Sequence, residues 1–398
     1  MTLHQNALRY PDFRIYIAGK IFGLHALWMQ RMSLGWIAWQ LTESASFVGL
    51  VSFANFAPTL ITGPFFGVWI DRVRVHLAAV ATQSAMLVLT LLLLILINAG
   101  ILGTASLLLI SLALGVVASA HHPVRMSLAP RLVDRAAIGS VISTVAILFN
   151  LARMSGPALG GWLISQWGIS GCLGVQVVLY VPFILALATL TPRENAATEE
   201  THEPLFAAMR TGLRHVAGVP LIRNALLVTG LLAFVVRGVM EVLPVLADGV
   251  FERGPTGLGM LLSSAGFGAL LAGIAKTVLP GEAPEMFPRK AILSALVGMA
   301  AVPFVGLNGV WTVALVLVGL LGFCVTLSAI SLQTAVQLDL SDNLRGRVMS
   351  IWTMTAIGMS AAGAAVLGIS FDLIGFTPTL VTSGAAGFIA LAMVARRV

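Results

Sequence analysis

Uninterrupted apolar runs long enough to cross a lipid bilayer recur along almost the whole of this chain, and no other feature restricts its fold so severely. A hydrocarbon core about 30 Å thick is crossed by about 20 helical residues at ~1.5 Å each. Runs of that length fall at about 13–40, 46–70, 76–98, 102–122, 137–165, 171–191, 222–248, 257–279, 289–307, 310–335, 347–371 and 377–395. With no water in that layer, the backbone must satisfy its own hydrogen bonds, which helices and closed barrels do. A barrel would alternate in polarity over ~10-residue segments. These runs are continuous, as in the lipid-facing LVLTLLLLILI at 87–97. Composition closes the alternative of a water-soluble globule. Of the 398 residues 58% are hydrophobic and only 10% charged, with a mean hydropathy of +0.97, where a soluble domain carries roughly 25% charged residues. The sequence predicts an all-α membrane protein with twelve transmembrane helices.

The connections are short and carry Gly, Pro, Asn or Asp, as in NAG at 98–100 and NG at 308–309, which are turn-forming residues. The long polar stretch 192–219, which includes PRENAATEETHEP, divides the chain almost in half. It predicts an N-terminal six-helix bundle at 1–191, a cytoplasmic linker at 192–219 and a C-terminal six-helix bundle at 220–398. An amphipathic surface helix around 204–216 closes the linker. With the N-terminus inside, inner helix ends hold such residues as Arg9, Arg131, Arg193, Lys290 and Arg345, and the outer loops hold Arg253. Such asymmetry sets membrane orientation and predicts two cytoplasmic termini, in the cell (inner) membrane. The formal charge of +7 comes from basic residues dispersed at helix ends, which argues against nucleic-acid binding. Cys172 and Cys324 lie inside apolar runs and imply neither a disulfide framework nor a metal site. The opening MTLHQNALRYPDFR lacks the pattern of a cleaved signal, so the first span is expected to act as an uncleaved insertion signal.

The two halves also repeat. Pro11 and Arg14 open the first span, and Pro220 and Arg223 open the seventh, about 209 residues later. Gly49 and Gly63 correspond to Gly259 and Gly273 at about 210. Gly139, Gly156 and Gly161 correspond to Gly346, Gly363 and Gly368 at about 207. A near-constant offset predicts two parallel repeats related by a pseudo-two-fold axis.

Specific residues then carry a family resemblance. The loop after the second span reads Gly67-Val-Trp-Ile-Asp71-Arg72-Val-Arg74-Val-His76, and the fifth span reads Ala152-Arg153-Met-Ser-Gly156-Pro157-Ala-Leu-Gly160-Gly161. The first resembles the loop motif of the major facilitator superfamily, and the second its Gly-Pro-x-x-Gly-Gly exporter motif. The segments WMQRMSLGWIAWQLTES at 28–44, HPVRMSLAPRLV at 122–133 and DNLRGRVMSIWTM at 342–354 are similar to the drug-efflux branch that includes macrolide and enterobactin exporters. The resemblance implies the major facilitator fold, alternating access, a monomer, and gating roles for Gly67, Asp71 and Arg72. The chain departs from the family at Arg74, Val75 and His76, which weakens the expected cytoplasmic lock. It departs again at Leu27, which stands where this branch often has an acid.

Ionisable residues inside a membrane are costly and mark candidate function. Arg31, Arg153 and Arg237 fall near mid-depth, and Glu241 follows Arg237 by one helical turn, on the same helix face. The resemblance places spans one, five and seven around a central cavity. Two readings stay open. In one, Arg237 and Glu241 neutralise each other while Arg31 and Arg153 bond to carbonyls, Asn150 or Gln30. In the other, a net positive cavity attracts an anionic or hydrogen-bond-rich substrate and Glu241 exchanges a proton. Lys20, near the inner end of span one, is expected to snorkel to the interface. His25 is a candidate for coupling, against a packing role. Gln333 and Gln337 are candidates for substrate contact or structural bonds. Trp28, Trp36 and Trp39 are candidates for a stacking surface, the last two also for interfacial anchors. Gly156 and Pro157 favour bending, and Gly160 and Gly161 close helix approach, so these four are assigned to gating.

No HExxH, phosphate-cradling loop or nucleophile–base pair occurs, so neither an enzyme nor direct ATP drive is expected. No cofactor or metal is implied. The expected function is secondary active export of a small molecule, drug-like or siderophore-like, by proton antiport. The alternative is proton-independent transport or uptake of an anionic metabolite or lipid.

Overall fold

The computed structural model describes residues 6–70, 73–193, 205–278 and 287–396. The gating candidates Asp71 and Arg72 lie outside the described residues. No strand occurs among the described residues, and the helices follow the apolar runs closely. In chain order they are α1 (Pro11–Thr42), α2 (Ala45–Ile70), α3 (Val75–Asn98), α4 (Thr104–Leu128), α5 (Ile138–Ala188), α6 (Leu205–Gly218), α7 (Pro220–Leu232), α8 (Gly238–Glu241), α9 (Gly254–Val278), α10 (Arg289–Leu307), α11 (Trp311–Asp339), α12 (Asp342–Ile374) and α13 (Phe376–Ala395). α1 begins with proline and Asp12 in its first turn, where a missing N–H costs nothing and a carboxylate meets the positive end of the helix dipole.

The expected spans at 137–165 and 171–191 are two limbs of α5, folded at Gly168 with φ 69° and ψ 178°. That backbone region is essentially reserved for glycine. Gly375, which joins α12 to α13 about 207 residues later, has φ 89° and ψ 166°, so the repeat uses the same turn twice. Ten helices among the described residues are long and apolar enough to cross a membrane. Counting both limbs of α5, together with α1, gives twelve passes.

The seventh pass departs from the expected continuous helix. α7 runs into a π-helical turn at Ala233–Arg237, then α8, then a break and a second π turn at Val245–Val250. Pro244 has no N–H to donate and its ring displaces the carbonyl one turn earlier. Val242 answers with φ −105° and ψ 18°. Widened turns of this kind collect at functional sites, and these flank Arg237 and Glu241.

Glycines place the helices, and the repeat shows in what they touch. Gly156 lies against Trp28 of α1, 2.8 Å from where its Cβ would be, and its counterpart Gly363 lies against the backbone of Phe234, on the first pass of the second half. Gly161 meets Pro255 and Gly259 of α9, while its counterpart Gly368 meets Ala45 and Ser46 of α2. The first pair therefore packs within a half and the second pair packs between halves. The matched glycines Gly139, Gly346 and Gly273 have nothing within 4 Å, and Gly63 meets only its own helix. These matches carry no packing role.

Inside the N-terminal half, buried polar side chains join three helices. Gln30 donates to Thr90 (2.5 Å) and accepts from Tyr180 (3.1 Å), and Gln176 donates to Ser33 (2.9 Å). Such bonds replace the hydrophobic effect, which does not draw helices together in lipid. Exposed aliphatic side chains such as Ile61, Val88 and Leu373 ring the outside, as a lipid-facing surface requires. α6 covers the expected amphipathic segment, and its Gly212 packs on Arg347 and Ile351 of α12. Two expectations for side chains fail. Lys20 is 1% exposed and does not snorkel, because its amine turns inward to the Tyr16 hydroxyl. Trp36, at 3% exposed, and Trp39 pack in the protein rather than anchoring at a lipid interface.

At the end of the N-terminal half opposite the α1–α2 turn, the Asp134 carboxylate accepts from Tyr10 (2.6 Å) and from Arg193, and Arg193 N–H bonds the Arg131 carbonyl (3.1 Å). The Tyr10 and Arg193 bonds hold the Asp134 carboxyl below the 3.8 of an ordinary aspartate, and the carboxylate in turn pushes the Tyr10 phenol up. A depressed carboxyl contributes stability that is fully present above its unfolded value and is lost as pH falls through its folded value. Cleavage by an acid-stable protease near 131–135 and 193 should therefore stay slow at pH 5 and above, and rise as the pH is taken below the ordinary aspartate range. Asp134→Asn should show the faster cleavage already at neutral pH.

Candidate functional site

A cavity of about 230 Å³ lies between the halves, and all four mid-depth charges line it: Arg31, Arg153, Arg237 and Glu241. Arg31 comes from α1, Arg153 from the first limb of α5, and Arg237 and Glu241 from the broken seventh pass. Three guanidinium groups face one carboxylate. Among the described residues no ion pair or hydrogen bond joins Glu241 to an arginine, although Arg31, Arg237 and Arg153, in that order, act on it electrostatically. Arg237 and Glu241 thus form no direct ion pair, although each acts on the other electrostatically.

Two of the three arginines rest on aromatic faces. Trp28 is flanked by the guanidinium carbons of Arg31 (5.1 Å) and Arg153 (5.7 Å), and Arg31 also stands 5.5 Å from the Phe56 ring. Phe149 meets Trp28 edge-on at 5.5 Å. A cation over a ring face gains roughly 0.5–2 kcal/mol while its N–H groups stay free for a ligand. The Trp28 indole N–H is buried without a partner. Ser52, Ser360 and Met240 complete much of the wall. The chemistry offered is therefore a positively charged chamber with aromatic walls, several N–H donors and one proton-accepting carboxylate.

Other candidates lie elsewhere. His25 does not line the cavity. Its Nδ1 is 2.7 Å from the Ile21 carbonyl and its Nε2 2.8 Å from the Ser155 hydroxyl, so it ties α1 to α5. Gln30 is part of the buried bonds described above, and Asn150 donates to Ala146 of its own helix (3.0 Å). Neither reaches Arg31 or Arg153. Gln333 and Gln337, on α11, are not among the lining residues. Pro157 does line the cavity, while Gly156, Gly160 and Gly161 serve helix contact: Gly160 rests on Met29 and Met32 of α1. Gly67 falls within α2.

The halves close on each other at the end that carries the α1–α2 turn. There Asp372 of α12 accepts from the Ser44 hydroxyl (2.6 Å) and from the backbone N–H groups of Ala45 (3.0 Å) and Ser46 (2.9 Å). Trp39 donates to Asp248 at 2.8 Å. Gly259 approaches Pro157 so closely that a Cβ would lie 2.6 Å from its carbonyl oxygen. Asp248 and Asp372 had no motif to signal them. Acids at the ends of apolar runs read as ordinary interfacial charges.

Comparison with known proteins places this architecture. The chain matches the family described as transmembrane secretion effector over residues 4–398. It is 22% identical to the staphyloferrin A transporter of Staphylococcus aureus, covering 90% of this chain and 89% of that protein. It is 26% identical to the enterobactin exporter EntS of Salmonella choleraesuis over 64% of this chain, and this match spans 60% of the exporter's length. In fold it resembles an inward-facing bacterial homologue of the lysosomal transporter Spinster (TM-score 0.72, 15% identity, 97% and 96% of the chains covered). It also resembles the nucleoside transporter NupG (TM-score 0.73, 11% identity, 97% and 98% covered).

Proposed function

The chain belongs to the transmembrane secretion effector family of major facilitator transporters, and on that premise we propose that it exports a small siderophore-like molecule by proton-coupled antiport with alternating access. It is an integral membrane transporter and not an enzyme. In our reading both termini are cytoplasmic, residues 1–191 and 220–398 rock against each other about the linker, and the closed end seen here is the outer one. The cavity then takes substrate from the cytoplasm. The single observation that carries this reading is the chamber in which Arg31, Arg153 and Arg237 surround Glu241 without pairing to it. Siderophore transporters and exporters among the relatives support the substrate class.

Antiport requires the substrate and the proton to compete. Glu241 provides that competition when substrate hydroxyls donate hydrogen bonds to its carboxylate, since bonds to the charged form oppose protonation. The excess of arginine supports a second reading. A purely anionic substrate would draw the guanidinium groups from Glu241 and so bind together with a proton, which is symport or uptake. The sign of the linkage separates the two. In proteoliposomes with an imposed pH gradient, antiport predicts uphill export and substrate binding that weakens as the pH falls. Glu241→Gln should abolish uphill export while leaving pH-independent binding. Uphill export by Glu241→Gln sinks the proton role, and binding that tightens in acid transfers the assignment to the second reading.

A further inference from the structure

A second, smaller chamber lies wholly inside the N-terminal half, between α1, α3, α4 and the second limb of α5. Its volume is about 20 Å³, enough for one water-sized or halide-sized occupant. Its polar lining consists of Tyr16, Lys20, Gln83, His121 and Arg125. Lys20 is 1% exposed; its amine bonds the Tyr16 hydroxyl and stands 4.5 Å from that ring's centre. Among the described residues, no carboxylate acts on Lys20, His121, His122 or Arg125, which influence one another. A buried lysine and a half-buried arginine with no anion between them form an arrangement that proteins avoid unless something else supplies the negative charge.

Gln83 adds an independent sign of a missing occupant. It is 3% exposed, yet its Oε1 has no partner while its Nε2 lies 3.3 Å from His121 Nε2. His121 Nδ1 lies 3.2 Å from the Thr82 hydroxyl, whose own proton goes to the Ala78 carbonyl (2.9 Å). The ring therefore donates from Nδ1 and is neutral in this arrangement. A half-turn of the Gln83 amide lets Oε1 accept from a protonated His121 and aims the NH₂ into the chamber. Every polar group is then satisfied, provided that an anion receives the Gln83, Lys20 and Arg125 donors.

We propose that this chamber is a binding site for one small univalent inorganic anion of halide size, held by Lys20, Arg125 and the Gln83 amide. The anion and a proton on His121 bind together, so affinity rises as pH falls; Tyr16 and Lys20 on α1 and His122 and Arg125 on α4 are the other titratable or charged groups facing the ring. The site is separate from the central cavity but touches its wall. The Arg125 guanidinium stands 5.0 Å from the ring of Phe149, which itself lies against Trp28. Occupancy is thus positioned to steady the aromatic support of Arg31 and Arg153. The inference concerns binding alone and does not depend on the direction or coupling of transport.

The test uses the full-length protein in detergent, with bromide or chloride against gluconate at constant ionic strength. Thermal unfolding should show saturable halide stabilisation, stronger at pH 6 than at pH 8, and crystals grown in bromide should show an anomalous peak between Lys20 and Arg125. Lys20→Met removes one charge-assisted bond and should weaken halide binding at least ~10-fold. Should that variant fold poorly, Gln83→Glu supplies a built-in anion; it should fold, be stabilised, and lose the halide response. No anomalous peak, or halide stabilisation that is unchanged in Gln83→Glu, overturns the proposal.

Discussion

Alanine at Gly161 should hold the two halves apart at their closed end and depress transport, whereas alanine at Gly363 should weaken the fold itself. Both residues are crowded, but they face different neighbours. A Cβ on Gly161 would drive into the Pro255 carbonyl of α9, across the interface between halves, while a Cβ on Gly363 would drive into the Phe234 carbonyl within one half. Both obstacles are backbone and cannot rotate away. Forcing a methyl group into such a contact costs roughly 1–3 kcal/mol. With the alternating access proposed above, that cost at Gly161 falls only on the conformation in which these ends meet, so the equilibrium shifts by ~5–150-fold toward the open one. At Gly363 the contact persists in every conformation, so the cost falls on folding. Spin labels at Gln166, exposed at the end of the first limb of α5, and at Gly309, exposed between α10 and α11, should report a longer distance in Gly161→Ala at unchanged unfolding temperature. Gly363→Ala should show the native distance and a lowered unfolding temperature. The same distances and stabilities in both variants would mean that these glycines do not divide the work in this way.

Why the sequence disclosed some of this and not the rest follows from the kind of signal each feature leaves. Membrane spans leave a long one, and the apolar runs match the helices to within a few residues, from α2 at Ala45–Ile70 to α13 at Phe376–Ala395. Gly156, Gly161, Gly363 and Gly368 were legible because the repeat shows each of them twice. The turn glycines Gly168 and Gly375 obey the same offset but fall between runs, where a glycine needs no explanation. Charge at mid-depth was the right guide to the cavity, since Arg31, Arg153, Arg237 and Glu241 all line it. Uncharged polar residues were a poor guide. Gln30, Asn150 and His25 sit at similar depths, yet each finds a partner within its own half. The helix face on which a residue falls is not recoverable where hydrophobicity is nearly uniform around the helix. The π turns around Glu241 were invisible for another reason. They change the register of a helix without changing its composition, and they flank the carboxylate that lines the cavity.

Asp372→Ala should release the closed end more completely than any single glycine change. The carboxylate accepts from two backbone N–H groups at the start of α2 and from the Ser44 hydroxyl. Those N–H groups are helix-terminal donors with no partner of their own helix, and the negative charge meets the positive end of the α2 dipole. Hydrogen bonds to a charged group contribute about 1.5–3 kcal/mol each, but they share one acceptor and one helix end, so a total of ~2–4 kcal/mol is reasonable. That converts to a ~30–1000-fold shift toward the open conformation. Asp372→Asn keeps one acceptor oxygen without the charge and should fall between the two. Trp39→Phe, which removes the single bond to Asp248, should shift the equilibrium less. The repeat sharpens the expectation, because the position equivalent to Asp372 is Ser165, whose hydroxyl bonds the Trp162 carbonyl of its own helix (2.8 Å). The latch therefore acts on one side of the pseudo-two-fold axis. The α2–α12 contact should open first in Asp372→Ala, with the α5–α9 contact following, and accessibility of a cysteine at Ser46 to a membrane-impermeant thiol reagent should rise before that of one at Thr256. Equal rises at the two positions would place the restraint in the glycine packing rather than in this carboxylate.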